Sequence, residues 1–377
     1  MLTAGGPGEV RMTSVAAAIV TAKAPGDDLD AGFVAGWLGK RLACDTVRVT
    51  ELVKFPRGVS RETWFLSCEW TRGKYTGTDR FILRRDLPGG SICLGELRAE
   101  YEIYRRLGQS HVPVAETLWY EDDPRELGDH REFFVRRHVE GDWNIPNLFD
   151  PDPRYNPLRI DIGREHVRKL ALVHGCDWRA LRFDEILEVP PSPADSARCR
   201  IEAVTREIDR LAVEPLPLVT EAVEWFLAHQ PSGGERICLI KGTNGFGEEV
   251  FRNGEIVALS DWELCCLGDP AMDFALVQSF LDDVIEDGKQ LWGLQPALDY
   301  YQTLTGQVIA PQAVDYYRHL YGLYRVQYSQ TAAHQLENGD KLCRLAWLSA
   351  EVLQLGQRAL ASAIGCTNTE IPRMGQR

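Results

Sequence analysis

Carboxylates around a short β-hairpin are the residues of this sequence best suited to chemistry. The run VFRNGEIVALSD, residues 250–261, predicts a strand, an Asn-Gly turn and a second strand that ends at Asp261. Glu248 and Glu249 directly precede the first strand. Because carboxylate oxygens are preferred ligands of Mg²⁺, we predict a magnesium site at Asp261 and Glu248, with Glu249 adjoining. The alternative is that Glu248 and Glu249 only solvate a surface loop.

The segment before this hairpin has a composition suited to phosphate binding. It reads KGTNGFGEE from Lys241 to Glu249, and glycine and polar residues let a backbone approach a phosphate closely. We predict that Lys241, Thr243 and Asn244 contact substrate or phosphate. Lys241 would also bring a positive charge to such a phosphate.

The segment after Asp261 carries two specific motifs. DWE occupies residues 261–263, and GDPAMDFA, residues 268–275, fits the pattern GDPxxDxA. The chain resembles the aminoglycoside phosphotransferase and choline-kinase-like family, whose signature reads HGDxxxxN, a short hairpin, DWE and GDPxxDxA. The resemblance spans roughly residues 45 to 340. It implies an ATP- or GTP-dependent, Mg²⁺-using kinase that acts on a small-molecule hydroxyl.

The chain departs from the family pattern in its catalytic loop. Without gaps, the His-Gly-Asp of the family falls on residues 241–243, and its metal-binding Asn falls on Glu248. Thr243 cannot accept a proton as a carboxylate does, and a general base typically contributes about 10²–10⁴-fold. The resemblance therefore implies a slow kinase. A nucleotide-binding pseudokinase with a regulatory or scaffolding role and a nucleotidyl transferase are the alternatives.

The amino-terminal half resembles the nucleotide-binding part of the same family. Gly58 and Ser60 lie between two predicted strands, where they would offer donors to phosphate; an ordinary hairpin turn is the alternative. Arg84 stands where kinases carry a phosphate-pairing Lys, and its planar fork can hold phosphate oxygens. Glu100 would pair with Arg84, or else be a solvated helix carboxylate.

Two further features follow from the resemblance. The strand and glycine of residues 134–141 match the hinge between lobes, so the backbone near Arg137 and Val139 would bind adenine. His174 is expected to pack and hydrogen-bond internally, and Asp273 to hold the backbone of the catalytic loop. The acidic run at residues 282–287 would either face a cationic acceptor or form a solvated helix face.

The periodicity of the chain changes once along its length. Alternating strands and two helices dominate up to about residue 139, and helical spacing dominates afterwards. We predict an α+β, bilobed protein-kinase-like fold. Residues 1–28 would form a flexible tail, 29–138 a nucleotide-binding lobe, and 139–377 a helical lobe with the catalytic loop, metal site and acceptor groove.

The amino-acid composition of the chain limits the classes of partner that we expect. The formal net charge of −13 argues against a nucleic-acid partner, because binding to DNA or RNA relies on neutralising phosphates. No apolar run approaches the roughly 18 residues that a membrane span needs. Ten cysteines without metal-ligand spacing predict free thiols and a cytoplasmic protein. The expected partners are a nucleotide and a small-molecule acceptor.

Overall fold

The computed structural model describes most of the 377-residue chain. The described residues are 29–56, 58–127, 131–212, 214–245, 247–277, 280–340 and 342–366, without the side chains of residues 124 and 126. The tail predicted for residues 1–28 lies outside them. All ten cysteines are unpaired, as predicted. Within the described residues, no helix is both long and apolar enough to cross a membrane.

An antiparallel sheet dominates the first part of the chain. Its strands are β1 (Thr46–Lys54), β2 (Arg61–Arg72), β3 (Tyr75–Asp86), β4 (Thr117–Glu121) and β5 (Phe133–Arg137). Their spatial order is β1-β2-β3-β5-β4. The valines, threonines and aromatic residues of these segments fit a pleated sheet, and Gly73 adopts φ +59° in the turn between β2 and β3.

Two helices cover opposite faces of this sheet. Helix α1 (Ala31–Leu42) starts at the capping residue Asp30 and packs Trp37 edge-on against Phe133 of β5. Helix α2 (Leu97–Leu107) packs its own apolar face against Phe134, the next residue of β5. Since successive strand residues point to opposite faces, the sheet has an α1 side and an α2 side. Arg84 and the functional cavity lie on the α2 side.

Helices make up most of the remaining chain. They are α3 (Asn156–His174), α4 (Ser196–Leu211), α5 (Pro217–Ala228), α6 (Ala271–Ala275), α7 (Leu294–Thr305), α8 (Pro311–Glu337), α9 (Cys343–Trp347) and α10 (Leu353–Ala363). A π-helical segment, Leu348–Val352, joins α9 to α10. Helix α8 contributes the most buried side chains, and its glycine at 322 lets α10 approach closely. The observed architecture is α+β.

Two small two-stranded sheets position the catalytic loop. Strand β7 (Glu249–Arg252) pairs with β8 (Glu255–Leu259) across the Asn-Gly turn, as predicted. Asn253 and Gly254 both adopt positive φ, which this tight turn requires. Strand β6 (Cys238–Ile240) pairs with β9 (Cys266–Gly268) and so brings the residues after β6 beside those after Asp261.

Of the two alternatives for the acidic run at residues 282–287, the solvated helix face is wrong. This segment forms a hairpin of its own, β10 (Val284–Glu286) and β11 (Lys289–Trp292). Asp287 and Gly288 make its turn, both at positive φ. Asp-Gly is a strong hairpin-turn signal, and it explains why this segment forms strands and not a helix.

Candidate active site

A cavity of about 450 Å³ lies between the α2 side of the sheet, the catalytic loop and the α8–α10 region. Its wall runs from the chain after β5, past the end of β8, to helix α8. The predicted site residues on this wall are Gly58, Ser60, Arg84, Val139, Thr243, Glu248 and Asp261. Residues from distant parts of the sequence thus meet in one cleft.

Lys241 and Asn244 are not on the cavity wall, so the phosphate contacts predicted for them are wrong. Both side chains are buried beneath the loop. Nζ of Lys241 lies 3.0 Å from Oε2 of Glu248, and Nδ2 of Asn244 donates to Asp273 at 2.9 Å. The loop backbone therefore turns these side chains inward, and their positive or polar groups stabilise the loop itself.

The side chain of Arg137 also lies outside the cavity. It is half exposed and contacts Glu116 at 2.7 Å and Asp79 at 3.3 Å on the outer surface. Its backbone N–H donates to the carbonyl of Glu116. Because neighbouring strand residues alternate in direction, Arg136 faces the cavity in its place.

Arg84 links the sheet to the loop that carries Asp261. Its guanidinium contacts the buried carboxylate of Glu100 on α2 at 2.9 Å and that of Asp261 at 2.7 Å. A further contact reaches Glu263 at 3.0 Å. Glu100 thus pairs with Arg84, whereas Arg85, the next residue, points to the other face and pairs with Glu62 at 2.7 Å.

A second buried guanidinium, that of Arg61, was missed from the sequence. It contacts Glu100 at 2.8 Å and Asp86 at 2.7 Å, and it lies 3.6 Å from Glu263. Arg61 begins β2 and is fully buried, so its charge is compensated entirely by these carboxylates. A lone arginine before an aromatic strand is the only signal that the sequence offers.

Glu263, the acid of the DWE motif, is the shared partner of both arginines. It accepts hydrogen bonds from Oγ of Ser60 at 2.6 and 2.8 Å, and Sγ of Cys93 lies 3.2 Å away. Burial and the neighbouring Asp261 raise the pKa of Glu263 to about 7, although Arg84 and Arg61 oppose this shift. Ser60 therefore tethers the β1–β2 loop to the segment after Asp261.

Glu263 predicts a loss of stability as pH rises. Its pKa is about 7 in the folded chain against 4.5 ordinarily, so the folded state binds more protons between these values. Stability should fall as pH rises through this window, by about 3 kcal/mol in all. Urea unfolding of wild type and Glu263→Gln tests this: the stability of wild type relative to the variant should decline with pH. A difference that stays constant or grows with pH contradicts it.

The backbone at Asp261 has an uncommon conformation that two contacts maintain. Its φ is +65°, the left-handed region that few residues other than glycine adopt. The N–H of Asp261 donates to Oη of Tyr104 at 3.2 Å, and its carbonyl accepts from Oγ1 of Thr243 at 2.5 Å. Thr243, which the sequence comparison predicts to stand at the family's base position, thus fixes the backbone that presents the Asp261 carboxylate.

Glu248 and Glu249 have different environments, although they are adjacent. Glu248 lines the cavity, where burial raises the pKa of its carboxyl and the ion pair with Lys241 opposes that shift. Glu249 starts β7 and turns inward, 3.7 Å from Nδ1 of the buried His166. The prediction that Glu249 adjoins a metal site in the cavity is therefore wrong, because the strand directs this side chain away from the cavity.

The buried carboxylate of Asp273 holds the catalytic loop in place through hydrogen bonds. It accepts hydrogen bonds from the backbone N–H of Lys241 at 2.9 Å and of Gly242 at 2.8 Å. It also accepts from Nδ2 of Asn244 and contacts Nε2 of His174 at 2.9 Å. Burial favours a higher pKa, but the His174 contact and these amides hold the pKa of Asp273 below its usual value. The structure agrees with the internal roles expected for His174 and Asp273.

Asp273→Ala should destabilise the chain strongly. Removing this carboxylate leaves several buried donors without an acceptor, which we expect to cost about 3–5 kcal/mol of unfolding free energy. Urea unfolding measures this, with Asp299→Ala, an exposed acid on α7, as the control. A loss no larger than that of the control contradicts the assignment.

The chemistry of the cavity carboxylates fits Mg²⁺. Asp261 and Glu248 each expose part of the carboxylate to the cavity, 27% and 19% of the side chain. Among the described residues, no group of three or more His, Cys, Asp or Glu forms a complete metal site. Mg²⁺ at nucleotide sites usually takes one or two carboxylates and completes its shell with phosphate and water, so two suffice.

Comparisons with solved structures show the fold. The chain superposes on an aminoglycoside phosphotransferase assigned in Ralstonia eutropha with a TM-score of 0.60 and 18% identity, covering 89% of this chain and 98% of that one. The streptomycin–ATP complex of APH(2")-IIa matches with a TM-score of 0.53 and 15% identity, covering 88% and 99%. The fold is that of the kinase-like aminoglycoside phosphotransferases.

Comparisons of sequence show the family. Acyl-CoA dehydrogenase family member 11 of Mus musculus is 25% identical over 243 residues, which are 63% of this chain and 29% of that protein. Member 10 of Mus musculus is 24% identical over 231 residues, 60% of this chain and 20% of that protein. The chain thus spans less than a third of these relatives. Residues 51–304 match the phosphotransferase enzyme family, and the chain therefore belongs to that family.

Proposed function

We propose that this protein transfers a phosphoryl group from ATP or GTP to a hydroxyl of a small molecule. One observation carries the proposal: the carboxylates of Asp261 and Glu248 share a cavity with Arg84, between the chain after β5 and helix α8. Kinase-like catalysis needs this combination of acids for a metal and a cation for phosphate. The solved relatives with bound ADP or ATP support a nucleotide as donor.

Different residues of the cavity would bind the base, the phosphates and the metal ion. The backbone after β5, at Val139 on the cavity wall, would hold the base of the nucleotide. Arg84, oriented by Glu100, would bind phosphate oxygens in place of its present contact with Asp261. Asp261 and Glu248 would hold Mg²⁺, which supplies charge neutralisation at the phosphates.

The loop positions the reactants without a carboxylate base. Oγ1 of Thr243 is committed to the carbonyl of Asp261 and cannot serve as a proton acceptor at neutral pH. Phosphoryl transfer passes through a loose transition state in which positioning and electrostatics dominate. We therefore propose a slow transferase whose acceptor hydroxyl loses its proton late.

Two observations favour a second candidate, a nucleotide-binding pseudokinase. Thr243 falls at the base position in the predicted alignment with the family, and Asp261 is ion-paired with Arg84 across the cleft at 2.7 Å. In this alternative the nucleotide would bind without turnover and stabilise one arrangement of the lobes. Nucleotidyl transfer on the same scaffold is a third reaction that the label experiment below separates.

Label transfer from ATP separates these functions. The full chain with Mg²⁺ and a panel of hydroxylated acceptors should move label from the γ-phosphate to an acceptor. Label moving from the α-phosphate would show nucleotidyl transfer. Tight nucleotide binding with no transfer over the panel would show a pseudokinase. No nucleotide binding at all would contradict every one of these functions.

A further inference from the structure

The cavity has a second end with a different chemical character. Beyond the catalytic acids, its wall is formed by α8 and by the rod of α9, the π-helical segment and α10. From the rod it takes Trp347, Leu348, Val352 and Leu355, which are aromatic or aliphatic. Within the described residues, the acids on the cavity wall are Glu248, Asp261 and Glu263, which come from the catalytic loop and from the segment after β8, and neither α8 nor the rod adds another.

One cation lies at this apolar end. Arg325 of α8 lines the cavity between Tyr321 and Tyr328, one helical turn from each. Arg325 is only 8% exposed. Its guanidinium lies 5.3 Å from the ring centre of Tyr321, and within the described part of the chain it forms no ion pair and donates no hydrogen bond.

A buried guanidinium without an anion is costly. Arginine stays charged in proteins, so it cannot lose its proton to avoid this cost. Every other deeply buried arginine of the cleft, Arg61 and Arg84, contacts carboxylates of the chain itself. Among the described residues no carboxylate contacts Arg325, whose guanidinium lies against a tyrosine ring, so an anionic group of a bound molecule would supply the missing counter-ion.

We infer that this end of the cavity binds the acceptor, and that the acceptor is a hydroxylated, largely apolar molecule with a carboxylate that pairs with Arg325. This inference rests on the proposed phosphotransfer and names its substrate class. The hydrocarbon would pack against Leu348, Val352 and Tyr328, with the carboxylate at Arg325 and the hydroxyl toward Asp261. A polycationic acceptor fits poorly, because it would meet a fixed positive charge.

Calorimetry on the full chain saturated with a non-hydrolysable ATP analogue and Mg²⁺ tests this. The probes are a hydroxydecanoate, decanediol and aminodecanol. They differ in the group at one end, which is negative, neutral and positive, respectively. Hydroxydecanoate should bind about tenfold to a hundredfold more tightly than decanediol, as expected for a charge-assisted hydrogen bond, and aminodecanol should bind most weakly. Equal affinities, or a preference for the amine, overturn the inference.

Variants of Arg325 test whether this residue causes the preference for the carboxylate. Arg325→Met should abolish the preference for hydroxydecanoate over decanediol, and Arg325→Lys should keep part of it. Arg318→Met, on the same helix but ion-paired with Asp315 outside the cavity, is the control and should leave the preference intact. An unchanged preference in Arg325→Met overturns the inference, as does weakened binding of the nucleotide analogue, which would assign Arg325 to phosphate. The wild-type probe series decides the question if Arg325→Met does not fold.

The binding measurements and the label-transfer assay together separate this inference from the proposed function. Carboxylate-dependent binding through Arg325 without any transfer of label from the γ-phosphate would uphold the anion site and refute phosphotransfer. Transfer to a cationic acceptor, unaffected by Arg325→Met, would uphold phosphotransfer and refute the anion site.

Discussion

Asp261→Asn is expected to lower the rate of phosphoryl transfer by at least about a hundredfold. The reason is that a metal ion held here would stabilise the charge of the transition state by several kcal/mol. The variant keeps the shape of the side chain but removes the charge that faces the cavity. Steady-state transfer of the γ-phosphate measures the effect. Asp299→Asn, an exposed substitution on α7, is the matched control.

Nucleotide binding gives the same variant a second readout. The Mg²⁺-dependent part of the affinity for a non-hydrolysable ATP analogue should disappear in Asp261→Asn. Binding without Mg²⁺ should persist or tighten, since Arg84 is released from its 2.7 Å contact with Asp261. Unchanged turnover, or unchanged Mg²⁺ dependence in a folded variant, would show that Asp261 is not a metal ligand.

Restoring a carboxylate at position 243 should raise turnover by about 10²–10⁴-fold, the usual contribution of a general base. Thr243 lies against the carbonyl of Asp261, so an Asp here would face the same reacting region. Thr243→Asp alone adds a third acid beside Glu248 and Asp261, and like charges would raise its pKa. The double variant Thr243→Asp with Glu248→Asn removes one of these charges and is the better test.

The control for this gain is Thr243→Asn with Glu248→Asn, which has the same size but no base. Turnover of the Asp double variant should exceed that of the Asn double variant by the stated factor, with similar nucleotide affinity. Equal turnover of the two would mean that proton removal does not limit the reaction, and it would favour the pseudokinase if both values were zero.

Local patterns predicted much of the fold correctly. Alternation in the first part of the chain predicts its strands, and the Asn-Gly turn predicts the hairpin β7–β8 that leads to Asp261. The spacing from Glu248 to Asp261 predicts that both carboxylates reach one cleft, which the cavity wall shows. These features depend on neighbouring residues, so sequence spacing determines them. The hairpin at residues 284–292 is the exception, where the Asp-Gly turn explains why strands form and not a helix.

Side-chain direction in the loop was not predictable from spacing. Lys241 and Asn244 look equivalent to Thr243 in a polar, glycine-rich segment, yet only Thr243 faces the cavity. The difference arises because Asp273, which comes later in the sequence, accepts hydrogen bonds from the backbone of Lys241 and Gly242 and so fixes the loop. Arg61 and Arg325 were missed for the same reason: their environments are assembled from α2, the loop after Asp261 and the α9–α10 rod.

A crystal structure of the full chain with a non-hydrolysable ATP analogue and Mn²⁺ tests the central claim most directly. Anomalous scattering should place Mn²⁺ on carboxylate oxygens of Asp261 and Glu248, with Arg84 on phosphate oxygens. A nucleotide outside this cleft, or Mn²⁺ elsewhere while Asp261 keeps its contact with Arg84, would contradict the account.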